Sequence, residues 1–239
     1  MKPQGTGRQS APGAPRRAGP IGGMIHGVMA IHPHRDALLV VDLQRDFLPG
    51  GALGVAGGDA VVGPIAALTP RFATVVATQD WHPPGHVSFA SAHPGAAPYT
   101  TLARPVGPQE LWPDHCVRGS AGAALHPALP DTAVTLVLRK GTRPEVDSYS
   151  AFRENVGPDG ARPTTGLGAW LKARGVARVF VCGLARDFCV RASAVDAAAE
   201  GFEVVVLDDL TRAVFPEKAA ETDVAFQAAG VRLGTGAGL

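Results

Sequence analysis

Cysteine is scarce in this sequence: three residues among 239, Cys116, Cys182 and Cys189, with no CxxC pair. That count excludes a disulfide-stapled secreted scaffold and a thiol-based redox or zinc-storage role, and it makes a reducing cytoplasm the expected compartment. An excess of charge is also missing. With 22 Lys and Arg against 21 Asp and Glu, the formal net charge is +1, which offers no electrostatic grip on nucleic acid or an anionic membrane. No apolar run approaches the roughly 20 residues needed to cross a bilayer, no charged-then-apolar leader opens the chain, and no internal repeat is visible. The composition, 46% hydrophobic, instead suits one well-packed domain that handles a small molecule.

Residues 1–35 stand apart. They are rich in Gly, Pro, Arg and Ser and lack apolar periodicity, so a disordered N-terminal extension is expected there, with Met24 or Met29 as an alternative start. The domain is expected over residues 36–239. From Ala37 onward, β-branched runs alternate with Ala-rich stretches. ALLVVDL (37–43), FATVVATQD (72–80), AVTLVLRK (133–140), RVFVCGL (178–184) and FEVVVLDDL (202–210) read as strands buried on both faces, with GVRLGT as a further edge strand. Apolar residues at helical spacing place helices over 59–68, 166–175 and 189–201, the last two ending at glycine. The rhythm predicts an α/β fold, a three-layer α/β/α sandwich of Rossmann-like type around a mainly parallel sheet.

In such sheets ligands gather beyond the carboxyl ends of the strands, where the polar residues of this chain also collect. Asp42 closes the first strand, Asp80 the second and Lys140 the third, and Cys189 follows the fourth after a short turn. With Asp187 as N-cap, Cys189 falls in the first turn of a helix, whose free N–H groups and dipole are expected to make the thiol more acidic. A carboxylate that accepts the thiol proton and an ammonium beside it describe covalent acyl transfer, with the backbone N–H groups around 185–189 as an oxyanion hole. Singly, each residue reads as a turn former or a buried side chain; their joint placement carries the inference. Cys182 reads as a core residue, and Cys116 fits either role.

A second constellation is QDWHPPGH. Asp80 and His82, two apart in an extended segment, point to one side and suit a divalent transition metal, with His115 of WPDHC as a third ligand. His86 is either a ligand or a support for one. Three protein ligands with positions left open describe a catalytic rather than a structural metal site.

VVDLQRDFLPGGALGV, ATQDWHPPGHVSFAS, LWPDHCVRGSAGAALHP, RKGTRPEVDSYSAF and CGLARDFCVRASAVDA resemble, in order, the motifs of nicotinamidases in the isochorismatase-like cysteine hydrolase family. The resemblance implies an isochorismatase-like fold and hydrolysis of nicotinamide, and of pyrazinamide, through a thioester. It implies Cys189 as nucleophile, Asp42 as general base and then acid, and Lys140 as third member of the triad. It further implies a cis peptide at Leu184–Ala185 and an oxyanion hole from the N–H groups of Ala185 and Cys189. One metal, zinc, iron or manganese, would sit on Asp80, His82 and His115 and take the ring nitrogen. Phe47, Trp112 and Tyr149 correspond to aromatic pocket walls, although Tyr149 equally suits the core. A homo-oligomer is compatible with the pattern. Carbamoylsarcosine amidase-like enzymes lack the metal motif, and isochorismatases proper do not need the thiol, so both fit less well.

Overall fold

The structure is a computed structural model that describes residues 29–239. The disorder expected over 1–28 therefore lies outside the described residues, whereas 29–35 join the domain. The Met29 N–H donates to Gly238, Arg178 reaches the Ala30 carbonyl, and the Arg35 carbonyl accepts from Ala177 and Arg178.

Six strands form one sheet in the order β5-β2-β1-β6-β7-β8, every neighbouring pair parallel. They are β1 (Asp36–Val41), β2 (Val75–Asp80), β5 (Leu136–Lys140), β6 (Arg178–Leu184), β7 (Glu203–Arg212) and β8 (Arg232–Gly234). A separate antiparallel hairpin, β3 (Thr100–Arg104) and β4 (Gly107–Leu111), completes the set. The central strands form because runs of Val and Leu, with Ala and Phe, can be buried on both faces at once. Leu38 and Val40 join Ile65, Leu68 and Phe180 on one side, while Leu39 and Val41 join Leu171, Ala194 and Phe226 on the other. Each fully buried Leu, Ile or Phe contributes on the order of 1.5–3 kcal/mol of transfer free energy.

Helix α1 (Val62–Leu68) covers the first face, and α2 (Leu167–Ala173), α3 (Arg191–Ala199) and α4 (Ala219–Ala228) cover the second. The expected α/β/α layering is present, with local corrections. The segment predicted as helix from residue 59 begins as a 3-10 turn, Gly58–Val61, and becomes α-helical at Val62; Pro64 fits in that first turn because its missing N–H would have no helical partner there. The helix expected from 189 begins at Arg191, after a π-helical turn over Arg186–Val190. β5 is not buried on both faces: it pairs only with β2, its burial alternates, and Val137 is 46% exposed.

The order in which strands are added reverses between β1 and β6, although all six run parallel. From β1 the chain builds outward to β2 and β5, then returns to β6 on the other side and continues to β7 and β8. The crevice beyond the carboxyl ends of β1 and β6 is thus the topological switch point, where open α/β sheets bind their ligands. The two strands approach closely there: Gly183 lies opposite Val41 with φ +107°, and a Cβ on it would collide with the Val41 backbone.

Candidate active site

Asp42, at the head of β1, adopts the left-handed conformation (φ 46°), which Asp tolerates better than most residues. Thr78 of β2 holds it there. The Asp42 N–H donates to Thr78 Oγ1 at 3.0 Å, and that hydroxyl donates to Asp42 Oδ1 at 2.6 Å. From the end of β5, the Lys140 ammonium reaches Asp42 Oδ2 (2.8 Å), Asp80 Oδ1 (2.5 Å), the Ser148 carbonyl (3.2 Å) and Cys189 Sγ (3.3 Å). The Asp42 contact is a fully buried ion pair. Carboxylate oxygens of Asp42 and Asp80 and the Cys189 sulfur lie within 4.8 Å of one another. Strand order explains the meeting: β5, β2 and β1 are consecutive neighbours, and the turn after β6 closes the fourth side.

Burial pushes the Cys189 thiol well above its ordinary value, although Lys140 pulls the other way. This corrects the expectation of a more acidic thiol. Asp187 does not cap the nucleophile's helix either; both its oxygens accept from the backbone of another segment, Val214 and Phe215. Burial likewise raises Asp42 against the attraction of Lys140, with repulsion from Asp80 adding to the rise. Lys140 is held well above the usual range: burial lowers it, and the two carboxylates more than offset that. The resting centre therefore holds a protonated thiol beside a strengthened base and a fixed cation. The Leu184–Ala185 peptide is cis, as the motif resemblance implied. Among the described residues the Ala185 N–H donates no hydrogen bond to the surrounding loops.

The second constellation shares Asp80 with the first. Asp80 Oδ2 lies 3.5 Å from His82 Nε2 and 4.0 Å from His115 Nε2, and all three side chains are buried. Both imidazoles are oriented from behind by backbone carbonyls, His82 Nδ1 by Gly141 (3.0 Å) and His115 Nδ1 by Pro113 (2.8 Å). Those contacts fix the tautomer that leaves each Nε2 a free lone pair, as metal-binding histidines require. Gly141 permits the approach; with φ +63°, any Cβ there would strike the His82 ring. Burial and the nearby His82 push His115 down to about 4, so it stays neutral. His82 is lowered by burial and raised further by Asp80, ending above its usual value. The carboxylate draws a cation to this spot, and the donor set of one oxygen and two neutral-capable nitrogens fits a divalent transition metal. His86 has both ring nitrogens engaged by protein groups. Its Nδ1 meets Ser88 Oγ (2.7 Å), its Nε2 meets the Val146 carbonyl (3.1 Å), and its ring stacks on His82 at 4.2 Å.

Beside both clusters lies a narrow, mostly apolar pocket of about 20 Å³ that reaches Asp80, His115 and Cys189. Phe47, Trp112 and Tyr149 line it, together with Phe188, Leu53 and Val214, which sequence reasoning missed. Phe188 stands edge-on to Trp112 at 4.9 Å, and its place beside Cys189 was a usable signal. Gln44 and Thr78 were missed as well, because their partners lie on the neighbouring strand.

The isochorismatase domain matches residues 36–235. The chain is 47% identical to the nicotinamidase of Acinetobacter baylyi over 178 residues, 74% of this chain and 81% of that protein. A solved structure described as an Acinetobacter baumannii nicotinamidase pyrazinamidase is similar with TM-score 0.82 and 40% identity, covering 87% of this chain and 99% of that one. A Leishmania infantum protein solved in complex with nicotinate is similar with TM-score 0.78 and 41% identity, covering 89% and 98%.

Proposed function

The chain belongs to the isochorismatase family, and from that premise we propose that Cys189, Asp42 and Lys140 form the triad of its amidohydrolase activity, with Asp80, His82 and His115 as the metal ligands. The enzyme converts nicotinamide to nicotinate and ammonia. The single observation that carries the assignment is the Lys140 ammonium, which touches the Cys189 sulfur and both carboxylates behind an aromatic pocket lined by Cys189 and Asp80.

Asp42 accepts the Cys189 proton as sulfur attacks the amide carbon, so that no free thiolate has to form first at a site where burial opposes it. The N–H groups of Ala185 and Cys189 hold the oxyanion; one such donor is worth about a hundred- to a thousand-fold in rate. Asp42 then returns the proton to the departing nitrogen and ammonia leaves the thioester. Water attacks next, giving its proton to Asp42, and the sulfur leaves to be reprotonated as nicotinate departs. Lys140 stays charged throughout, balancing the negative charge that moves between Asp42 and the reacting atoms. A divalent metal, zinc, iron or manganese, supplies when bound a Lewis-acidic position for the ring nitrogen. Phe47, Trp112 and Tyr149 enclose the flat ring, and pyrazinamide, with the same shape, is a substrate too. The reading places the enzyme in the reducing cytoplasm, where a free thiol persists.

The test is ammonia release from nicotinamide by purified protein and by Cys189→Ala, each before and after chelation with metal restored. The variant is expected to release none under any condition, whereas release by the unaltered protein stops on chelation and returns with metal. Absence of release from metal-loaded protein that carries Cys189 sinks the reading.

A further inference from the structure

Asp187 is buried, 4% exposed, yet takes no part in the proton chemistry. Its two oxygens accept from the N–H groups of Val214 (2.9 Å) and Phe215 (2.8 Å), in the irregular segment that follows β7. Two charge-assisted hydrogen bonds from one carboxylate are a strong attachment for a segment that lacks a strand or helix of its own. That segment is a wall of the pocket. Val214 lines the cavity, and the Phe215 ring lies nearly parallel to Trp112 (27°, 6.4 Å) and edge-on to Phe188 (6.0 Å). Tyr99, held in the left-handed region (φ 64°) and 52% exposed, meets both Trp112 and Phe215 from outside. The turn that carries the nucleophile thus also carries the carboxylate that sets the far wall.

We propose that Asp187 is a positioning residue that fixes Val214 and Phe215 at a set distance from the Cys189 turn, and so determines how large a ring substituent the pocket admits. This rests on the nicotinamidase reading and adds a specificity element to it. In the proposed mechanism the amide end of the substrate is handled by Cys189, Asp42 and the oxyanion hole, whereas Val214 and Phe215 bring only apolar side chains and supply no group to bond making. Loosening the wall therefore alters ring binding more than bond making.

The experiment measures kcat and KM for nicotinamide and for a panel of ring-methylated nicotinamides, with the unaltered enzyme, Asp187→Asn and Phe215→Ala. An asparagine can accept only one of the two N–H groups and turns a donor toward the other. Phe215→Ala removes the wall's ring, leaves the Asp187 hydrogen bonds intact, and covers the case in which Asp187→Asn fails to fold. Expected in both variants is a KM for nicotinamide raised about tenfold with kcat within about threefold. The preference for nicotinamide over the worst-fitting methylated amide should fall by at least about tenfold, the scale of one methyl group in an apolar pocket. A loss of kcat at unchanged KM, or an unchanged preference in the folded variants, overturns the inference while the nicotinamidase reading stands. Failure of the unaltered enzyme to release ammonia overturns that reading and the inference together.

Discussion

Asp42 and Asp80 end neighbouring strands, are both buried, and both touch the Lys140 ammonium, yet their protonation equilibria move in opposite directions. Burial raises both. For Asp42 nothing beyond Lys140 and Thr78 opposes it, and Asp80 repels it, so the group ends above the usual carboxylate range. For Asp80 the same ammonium is joined by His82 and His115, and the carboxyl is driven far below that range. Two identical side chains thereby differ in charge preference, Asp42 toward holding a proton and Asp80 toward staying ionised, as the proposed roles of general base and metal ligand require. Environments that push paired carboxyl groups apart in this way allocate the acid-base role and the electrostatic role.

The largest effect expected from this contrast is on turnover. Asp42→Asn should lower kcat/KM between about a hundred- and ten-thousand-fold, the usual worth of a positioned general base, and added metal should restore none of it. Asp80→Asn should also be poorly active, but with a loss that excess zinc or manganese partly recovers and a lowered metal content after dialysis. Metal content and steady-state rates measured across a metal titration check both; equal rescue of the two variants would erase the distinction.

A smaller effect concerns pH. Because the folded Asp42 carboxyl is raised, its contribution to stability is present below the unfolded value and is lost as pH rises through the folded one. Asp80, which is depressed, contributes stability above the unfolded value that is lost as pH falls through the folded one. At neutral pH, metal-free Asp80→Asn should therefore be destabilised by about 3 kcal/mol, the order of a broken buried pair, while Asp42→Asn melts close to or above the unaltered protein. The acid limb of kcat/KM should lie above pH 4, where an unperturbed carboxylate would put it. Thermal melts and a pH-rate profile decide; a reversed order of stabilities would show that Lys140 depends more on Asp42 than on Asp80.

Much of this was legible in the chain because hydrophobic runs report burial directly. The strand over 178–184 was read to its ends, set between the Gly175 helix stop and the charged Arg186 and Asp187. The β3–β4 hairpin was invisible: Thr100–Arg104 is mostly exposed and Gly107–Leu111 holds Gly and Pro, so neither alternates. The residues of the proposed triad and metal site stood out in the chain as polar residues at strand ends, but Asp187 looked like a local helix cap. Its partners are 27 and 28 residues further on, and only the folded β7 end brings them near. The state of the Cys189 thiol was misjudged for a related reason. Helix position and charge neighbours can be read locally, whereas the depth of burial that outweighs them depends on the whole pocket.

The smallest effects should come from the residues that hold the two carboxylates, and these form a reciprocal pair. Thr78 of β2 grips Asp42 of β1 through its hydroxyl. Gln44, just beyond β1 and fully buried, grips Asp80 of β2 by its backbone: its amide N donates to the Asp80 carbonyl (2.9 Å) and its amide O accepts from the Asp80 N–H (2.8 Å), with a second donation to Ala123 (2.8 Å). Each strand end thus positions the other's acid. Gln44→Leu should weaken metal binding by about tenfold, the lower range for an outer support of a ligand, and cost about 1–3 kcal/mol for the backbone groups left unpaired. At saturating metal its kcat should change little. Thr78→Val should leave metal affinity alone and act on the other acid: the lost hydroxyl donor raises Asp42 further, moving the acid limb of kcat/KM to higher pH. Metal titrations and pH-rate profiles on the two variants test the crossing. If both variants weaken metal binding equally and leave the acid limb in place, the two clusters respond as one packed unit, and the division between Asp42 and Asp80 is not maintained by these supports.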